Sequence, residues 1–276
     1  MTTRPRLYAD GITVGYDKRI ISEKLTVEIP DGKFTVIVGP NACGKSTLLR
    51  ALSRLLKPTG GTVLLDGKSI SSYPAKEVAR RLGLLPQTSI APDGISVADL
   101  VARGRYPHQK LIRQWSVADE AAVVEAMTAT GVTSLSARPV DELSGGQRQR
   151  VWVAMVLAQQ TPLLLLDEPT TFLDIAHQIE LLDLLATLNR DNGNTLVAVL
   201  HDLNHACRYA DHIIAMKDGA VVTQGSPSHI VTAELVESVF GLPCRIIDDP
   251  ESHTPLVIPR VVPRVRTTTI GDTADT

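Results

Sequence analysis

The sequence predicts an α/β protein: a mostly parallel sheet covered by helices, an antiparallel layer towards the N-terminus, and a helical segment inserted in mid-chain. Three observations predict it. Strand-like and helix-like segments alternate along most of the 276 residues, the pattern of a sheet covered on its faces. Phe34–Val38 and Leu163–Leu166 are short, wholly apolar runs, which suit strands buried on both sides. The mixed runs near the start suit an antiparallel layer with one wet face, and from Thr88 to Ser144 the pattern turns mainly helical.

Taken in order, the predicted strands are Leu7–Val14, Leu25–Ile29, Phe34–Val38, Thr62–Leu65, Leu82–Leu85, Leu163–Leu166, Thr195–Leu200 and Ile213–Met216. Helical periodicity covers Lys45–Leu55, Lys76–Arg81, Val97–Ala102, Ala118–Ala129, Gln147–Gln160, Ile175–Asn192 and Leu203–Ala210. Asp31-Gly32, Asp66-Gly67 and Asp218-Gly219 read as tight turns. From about Pro243 prolines recur, and the small, polar run Arg266–Thr276 is expected to fray. No long internal repeat is visible, so the chain is expected to hold one catalytic unit.

The composition narrows the function classes. A formal net charge of −2 gives no basic footprint for nucleic acid, and 4% aromatic content supplies few stacking platforms. Cys43, Cys207 and Cys244 are scattered and odd in number, which disfavours a disulfide framework or a zinc site and suits a reducing compartment. The opening residues lead into no apolar signal core, and Leu163–Leu166 is far too short to span a bilayer. Membrane association is therefore expected only through a partner.

The chemistry starts at Gly39-Pro40-Asn41-Ala42-Cys43-Gly44-Lys45-Ser46, which fits G-x-x-x-x-G-K-[ST] between a buried strand and a helix. Backbone amides of such a loop surround phosphates, Lys45 reaches the β/γ oxygens, and Ser46 holds Mg²⁺. Leu163–Leu166 then delivers Asp167 and Glu168 at a strand end. Asp167 suits the magnesium shell, and Glu168 suits a general base acting on water. His201 follows the apolar strand Thr195–Leu200, where it can face the γ-phosphate and orient Glu168. Gln87, after Leu82–Pro86, opens the inserted region and can sense Mg²⁺ and the γ-phosphate. His201 and His205 stand four apart, but with no Glu directly after His201 and no third ligand evident they make a poor zinc pair.

Leu143-Ser144-Gly145-Gly146-Gln147 is a second glycine turn leading into a helix, a further cradle for an anion. One phosphate site does not need two cradles. The order of these elements resembles the ATP-binding cassette (ABC) ATPases, in particular the nucleotide-binding subunits of transporters, from about Leu7 to Phe240. The resemblance implies a P-loop NTPase of ABC type: a RecA-like α/β core (residues 1–87 and 160–240), an antiparallel β layer, a helical subdomain (88–159) and a C-terminal extension (241–276). It aligns Tyr16 with the adenine-stacking aromatic, Gly39–Thr47 with Walker A, Gln87 with the Q-loop and Leu143–Gln147 with the signature. Asp167 and Glu168 align with the end of Walker B, Leu173-Asp174 with the D-loop, and His201 with the switch histidine.

In that family the signature of one subunit closes on the ATP held by the phosphate loop of another. The resemblance thus implies a head-to-tail homodimer with two shared ATP–Mg²⁺ sites, which explains the two cradles. Ala42 departs from the usual Gly or Ser, and Phe172 stands where a small residue is common; neither removes a catalytic group. Val97–His108 and Thr170–Leu182 look like the importer ATPases for ferric siderophores, with haem and cobalamin importers close by. That subgroup implies two permease subunits docking near Gln87–His108, an extracytoplasmic substrate-binding protein reached through them, and a place on the cytoplasmic face of the membrane. A soluble cassette of DNA repair or translation would bring a long coiled-coil insertion or a second cassette, and neither is present. A non-catalytic module would be expected to lack Lys45, Glu168 or His201.

Overall fold

The computed structural model describes residues 5–17, 19–87, 89–109 and 115–260. The expected fraying of Arg266–Thr276 falls outside these residues. The chain opens with a β-hairpin, β1 (Leu7–Tyr16) and β2 (Arg19–Ile29), then crosses to β3 (Phe34–Val38) and the helix α1 (Lys45–Leu52). A second hairpin, β4 (Gly60–Leu65) and β5 (Lys68–Ser69), precedes α2 (Ala75–Ala79) and β6 (Leu82–Leu85). Three helices follow: α3 (Val97–Ala102), α4 (Val117–Ala129) and α5 (Gly145–Ala158). The chain then returns through β7 (Leu163–Asp167), α6 (Ile175–Asn192), β8 (Thr195–Val199), α7 (Leu203–Tyr209), β9 (His212–Lys217) and β10 (Ala220–Gly225). It closes with α8 (Pro227–Ile230), α9 (Ala233–Phe240) and a hairpin of β11 (Cys244–Asp248) and β12 (Pro255–Pro259).

Two sheets carry the fold. One is antiparallel, in the order β2-β1-β4-β5; the other has six strands, β10-β9-β3-β8-β7-β6, parallel except for β10. Strand alternation splits the core in two. Val36, Leu164, Leu166, Leu196, Ala198 and Ala215 point to the side of the inserted helices. Ile37, Leu163, Leu165, Val197, Val199 and Met216 point to α1 and the antiparallel sheet. Because β3, β7 and β8 are covered on both faces, none of their residues needs to be polar until the chain leaves the sheet. Each fully buried Leu or Ile contributes about 1.5–3 kcal/mol of transfer free energy.

This order positions the site. In the parallel part of the sheet β3, β8, β7 and β6 are consecutive neighbours. Their C-terminal ends lead into the phosphate loop, His201, Glu168 and Gln87 respectively. Four segments far apart in sequence thus meet on one rim, the usual ligand edge of an open α/β sheet.

Several boundaries differ from the sequence reading. Helix α1 ends at Leu52 rather than Leu55, because Arg54 takes a left-handed backbone (φ 67°) that no helix continues, leaving Leu55 exposed. Helix α5 begins two residues early, at Gly145: Ser144 and Gln147 form a reciprocal capping box that offsets the poor helix propensity of the glycines. Strand β10, helices α8 and α9 and the terminal hairpin were not predicted at all. In the hairpin, prolines obscured a strand pair whose inner face, Cys244, Ile246 and Val257, packs on the core.

Candidate functional site

The phosphate loop is built by the sharp exit from β3. Gly39 has no alternative there: a Cβ would lie 2.2 Å from the Met216 carbonyl oxygen and 2.8 Å from Cys43 Sγ. Gly44 takes φ 102°, and Ala42 takes φ 61°, a left-handed conformation that glycine adopts without strain and alanine does not. Ala42, which departs from the usual Gly or Ser, therefore carries a modest backbone strain. Cys43 is buried under the loop, and that burial pushes its thiol pKa up, so it packs as an apolar group.

Lys45 is buried, and its Nζ donates to the carbonyl oxygens of Gly39 (2.8 Å) and Pro40 (2.9 Å). The ammonium is thus held inside the curve of the loop, available to an anion that displaces those carbonyls. Ser46 Oγ donates to Asp167 Oδ1 at 2.9 Å. Asp167 is only 2% exposed, and burial raises its pKa from the ordinary carboxylate value, with the Ser46 hydrogen bond opposing and the neighbouring Glu168 adding to the rise. Among the described residues Asp167 makes no ion pair. A buried, unpaired carboxylate beside a hydroxyl is a hard-oxygen donor set, and it fits Mg²⁺.

Glu168 follows with φ 55°, a left-handed conformation rare for a non-glycine residue. The turn aims its carboxylate at His201, whose Nε2 lies 2.8 Å from Oε1, while Thr171 Oγ1 donates to Oε2 at 3.4 Å. Strain of this kind costs about 1–3 kcal/mol and persists where the surroundings hold it. Glu168 is nearly enclosed, its side chain 12% exposed, but that of His201 is 47% exposed and is not fixed by burial.

A cleft of about 500 Å³ lies over these groups, lined by Asn41, Ala42, Gly44, Lys45, Ser46, Thr47, Gln87, Glu168 and His201. Its size suits a small-molecule ligand. Two further lining residues, Arg19 and Ile21, were not singled out in the sequence; β2 brings them over the loop from the antiparallel sheet. The signal that could have found Arg19 is a basic residue just beyond Tyr16. Tyr16 itself is half-exposed outside the cleft lining, and its hydroxyl accepts from Arg50 Nη1 at 3.1 Å.

The glycine turn is elsewhere. Ser144, Gly145, Gly146 and Gln147 do not line the cleft. Ser144 Oγ accepts from Gln147 N, and Gln147 Oε1 accepts from Ser144 N, which leaves the N–H groups of Gly145 and Gly146 outside the capping box. Phe172, left-handed at φ 67° and 77% exposed, packs its Cβ close to Gly145. Asp174 caps α6 by accepting from His177 N at 2.9 Å, and it pairs with His177 Nδ1 at 2.8 Å.

Comparison with known proteins identifies the family. The pattern that defines the ABC transporter family matches residues 22–171, from β2 through the phosphate loop and glycine turn to just beyond Glu168. The ferric enterobactin transport ATP-binding protein FepC of Escherichia coli (strain K12) is 62% identical over 92% of this chain and 94% of its own length. The achromobactin transport ATP-binding protein CbrD of Dickeya dadantii (strain 3937) is 54% identical over 93% of this chain and 96% of its own. An inward-facing ABC transporter of metal-chelate type superposes with a TM-score of 0.79 at 28% identity, over 94% of this chain and 98% of that one. With the phosphate loop, the Asp167–Glu168 strand end and the opposed His201 on one rim, the chain belongs to the ABC transporter family and is one of its ATPases.

Proposed function

We propose that this ATPase powers an importer of ferric siderophores, working as a head-to-tail homodimer that closes on two ATP molecules. The observation that carries the dimer is the separation of the two cradles: the glycine turn at Ser144–Gln147 stands outside its own cleft with amides of Gly145 and Gly146 free of the capping box. A second copy gives it a phosphate to meet. The cargo class rests on two relatives that are over half identical along nearly their full length and whose names specify transport of ferric enterobactin and of achromobactin. No helix among the described residues is long and apolar enough to cross a membrane. In this reading two permease subunits supply the path and dock near Gln87–His108, an extracytoplasmic binding protein delivers cargo to them, and the ATPase sits on the cytoplasmic face. Residues 7–240 form the catalytic unit, with 88–159 as the helical subdomain that meets the permease.

Within the site each residue has a chemical task. The amides of Asn41–Thr47 and the Lys45 ammonium bind the phosphates, and Tyr16 stacks on the adenine. Ser46, Asp167 and Gln87 would hold Mg²⁺, which supplies charge neutralisation at the phosphate oxygens when bound. Glu168 orients and deprotonates the attacking water, and His201 fixes Glu168 Oε1 while facing the γ-phosphate. Ser144, Gly145, Gly146 and Gln147, with Asp174, complete the partner's site.

Glu168→Gln tests the reading. Turnover should collapse while ATP converts the protein from monomer to a stable dimer in sedimentation. A variant that stays monomeric with saturating ATP contradicts the base assignment and the shared site together. Deleting the gene should abolish uptake of radiolabelled ferric siderophore and spare other nutrients; intact uptake overturns the cargo.

A further inference from the structure

The catalytic histidine is exposed, yet it must stand within hydrogen-bond reach of Glu168. What fixes it is backbone. On its N-terminal side the last tie to the sheet is Leu200 N to the Ile37 carbonyl at 3.3 Å. On its C-terminal side the first tie is Asp202, whose carboxylate caps α7 by accepting from Asn204 N (2.7 Å) and His205 N (2.9 Å). His201 is the hinge residue between sheet and helix. Its position therefore depends on where α7 is held.

Helix α7 has seven residues, too few to be stable alone. Ala206 and Cys207 are fully buried, and Tyr209 Oη donates to Asp183 at 2.9 Å at its far end. At the near end, one turn from His201, the brace comes from the C-terminal hairpin. The carboxamide of Asn204 receives a hydrogen bond from Val257 N at 2.7 Å and donates one to the Val257 carbonyl at 3.3 Å. Both polar groups of this residue of β12 are thus turned away from β11 and matched by one side chain, as a neighbouring strand would match them. Val257 is itself buried, with Cys244 beside it on the inner face of the hairpin.

We infer that Asn204 is a positioning residue for His201, and that the hairpin Cys244–Pro259 acts through it to hold the histidine against Glu168. The inference rests on the catalytic reading of His201 given above. Asparagine suits the task because its amide presents one acceptor and one donor side by side. Alanine makes neither bond, and aspartate would place an oxygen against the Val257 carbonyl. The nucleotide cradle is built on β3 and α1 and does not depend on the hairpin. Loss of the brace should therefore act on turnover and leave ATP binding alone.

The experiment uses the purified full-length subunit and measures ATP turnover, ATP affinity and melting temperature. His201→Ala must abolish turnover; retained turnover there sinks the catalytic reading itself, whatever Asn204 does. Given that loss, Asn204→Ala should slow turnover about tenfold with ATP affinity within about twofold of the parent. Val257→Pro removes one of the two bonds from the hairpin side, the one donated by Val257 N, at a strand edge that tolerates proline. It should slow turnover in the same direction with ATP affinity kept, and the double variant should be no slower than Asn204→Ala alone. Turnover unchanged in Asn204→Ala, parallel loss of ATP affinity, or additive effects in the double variant would each overturn the inference. Should Asn204→Ala not fold, unchanged turnover in Val257→Pro overturns it by itself.

Discussion

At the residue scale, the site is assembled from groups held in unfavourable states. Asp167 is a buried carboxylate that makes no ion pair among the described residues, and Glu168 sits in a left-handed conformation. The sign of the Asp167 effect follows from linkage. Its native pKa lies above the unfolded value, so the native state takes up the proton first. Its stabilising contribution is present below the unfolded value of about 3.9 and is lost as pH rises through the raised native one. Above that raised value the ligand-free protein carries an ionised buried group at a net cost. Asp167→Asn should raise the melting temperature at pH 7, by about 2–4 °C for each kcal/mol relieved, while ATP turnover falls. The gain should vanish in acid, where Asp167 is already neutral; an equal gain at both pH values would contradict the assignment. Lys45 shows the complementary case. Lys45→Ala removes the cation from the loop and frees the Gly39 and Pro40 carbonyls, so ATP affinity should drop about 10- to 100-fold in a titration. Unchanged binding would remove Lys45 from the site.

At the element scale, one buried ion pair links the inserted helices, beside the apolar core they share. Arg105 and Asp119 meet at 2.8 Å with both side chains under 10% exposed, and Arg105 also donates to the Ala158 carbonyl and to Gln160 Oε1. The Ser116 hydroxyl first, and Arg105 with it, hold the Asp119 carboxyl below its usual range. Arg105 thus ties the segment after α3, the start of α4 and the end of α5 into one block. Arg105→Ala leaves Asp119 buried and unpaired, so chemical denaturation should show a loss of about 3–5 kcal/mol. A loss under 1 kcal/mol would mean that water or another cation reaches Asp119.

This scale also shows what the sequence made legible. The phosphate loop, the strand carrying Asp167 and the strand before His201 were readable because each is a continuous apolar run ending in polar chemistry. The terminal hairpin was not readable, since its prolines lie at strand ends where no ladder bond is lost. Nor was Asn204, whose partner stands 53 residues away. Arg19 and Ile21 reach the cleft only because one sheet packs over the end of another, and local pattern carries no record of that. Glycine turns were readable as turns, but the burial of Asp167 and the backbone strain at Glu168 emerge only from the packing.

At the scale of the whole molecule, the proposed head-to-tail dimer means that no single copy contains a complete ATP site. The cleft gathers the phosphate loop, Glu168 and His201 but not the glycine turn that leads into α5. Ser144→Arg should consequently leave ATP binding by the monomer intact and stop hydrolysis, because the arginine would obstruct the surface proposed to meet the partner's nucleotide. The decisive measurement mixes two inactive variants, Lys45→Ala and Ser144→Arg, and follows ATP turnover against each alone. In the mixed dimer the intact phosphate loop of the Ser144→Arg subunit faces the intact glycine turn of the Lys45→Ala subunit, so turnover should reappear on mixing. Two inactive proteins that remain inactive together, although sedimentation shows them associating with ATP, would contradict the shared site.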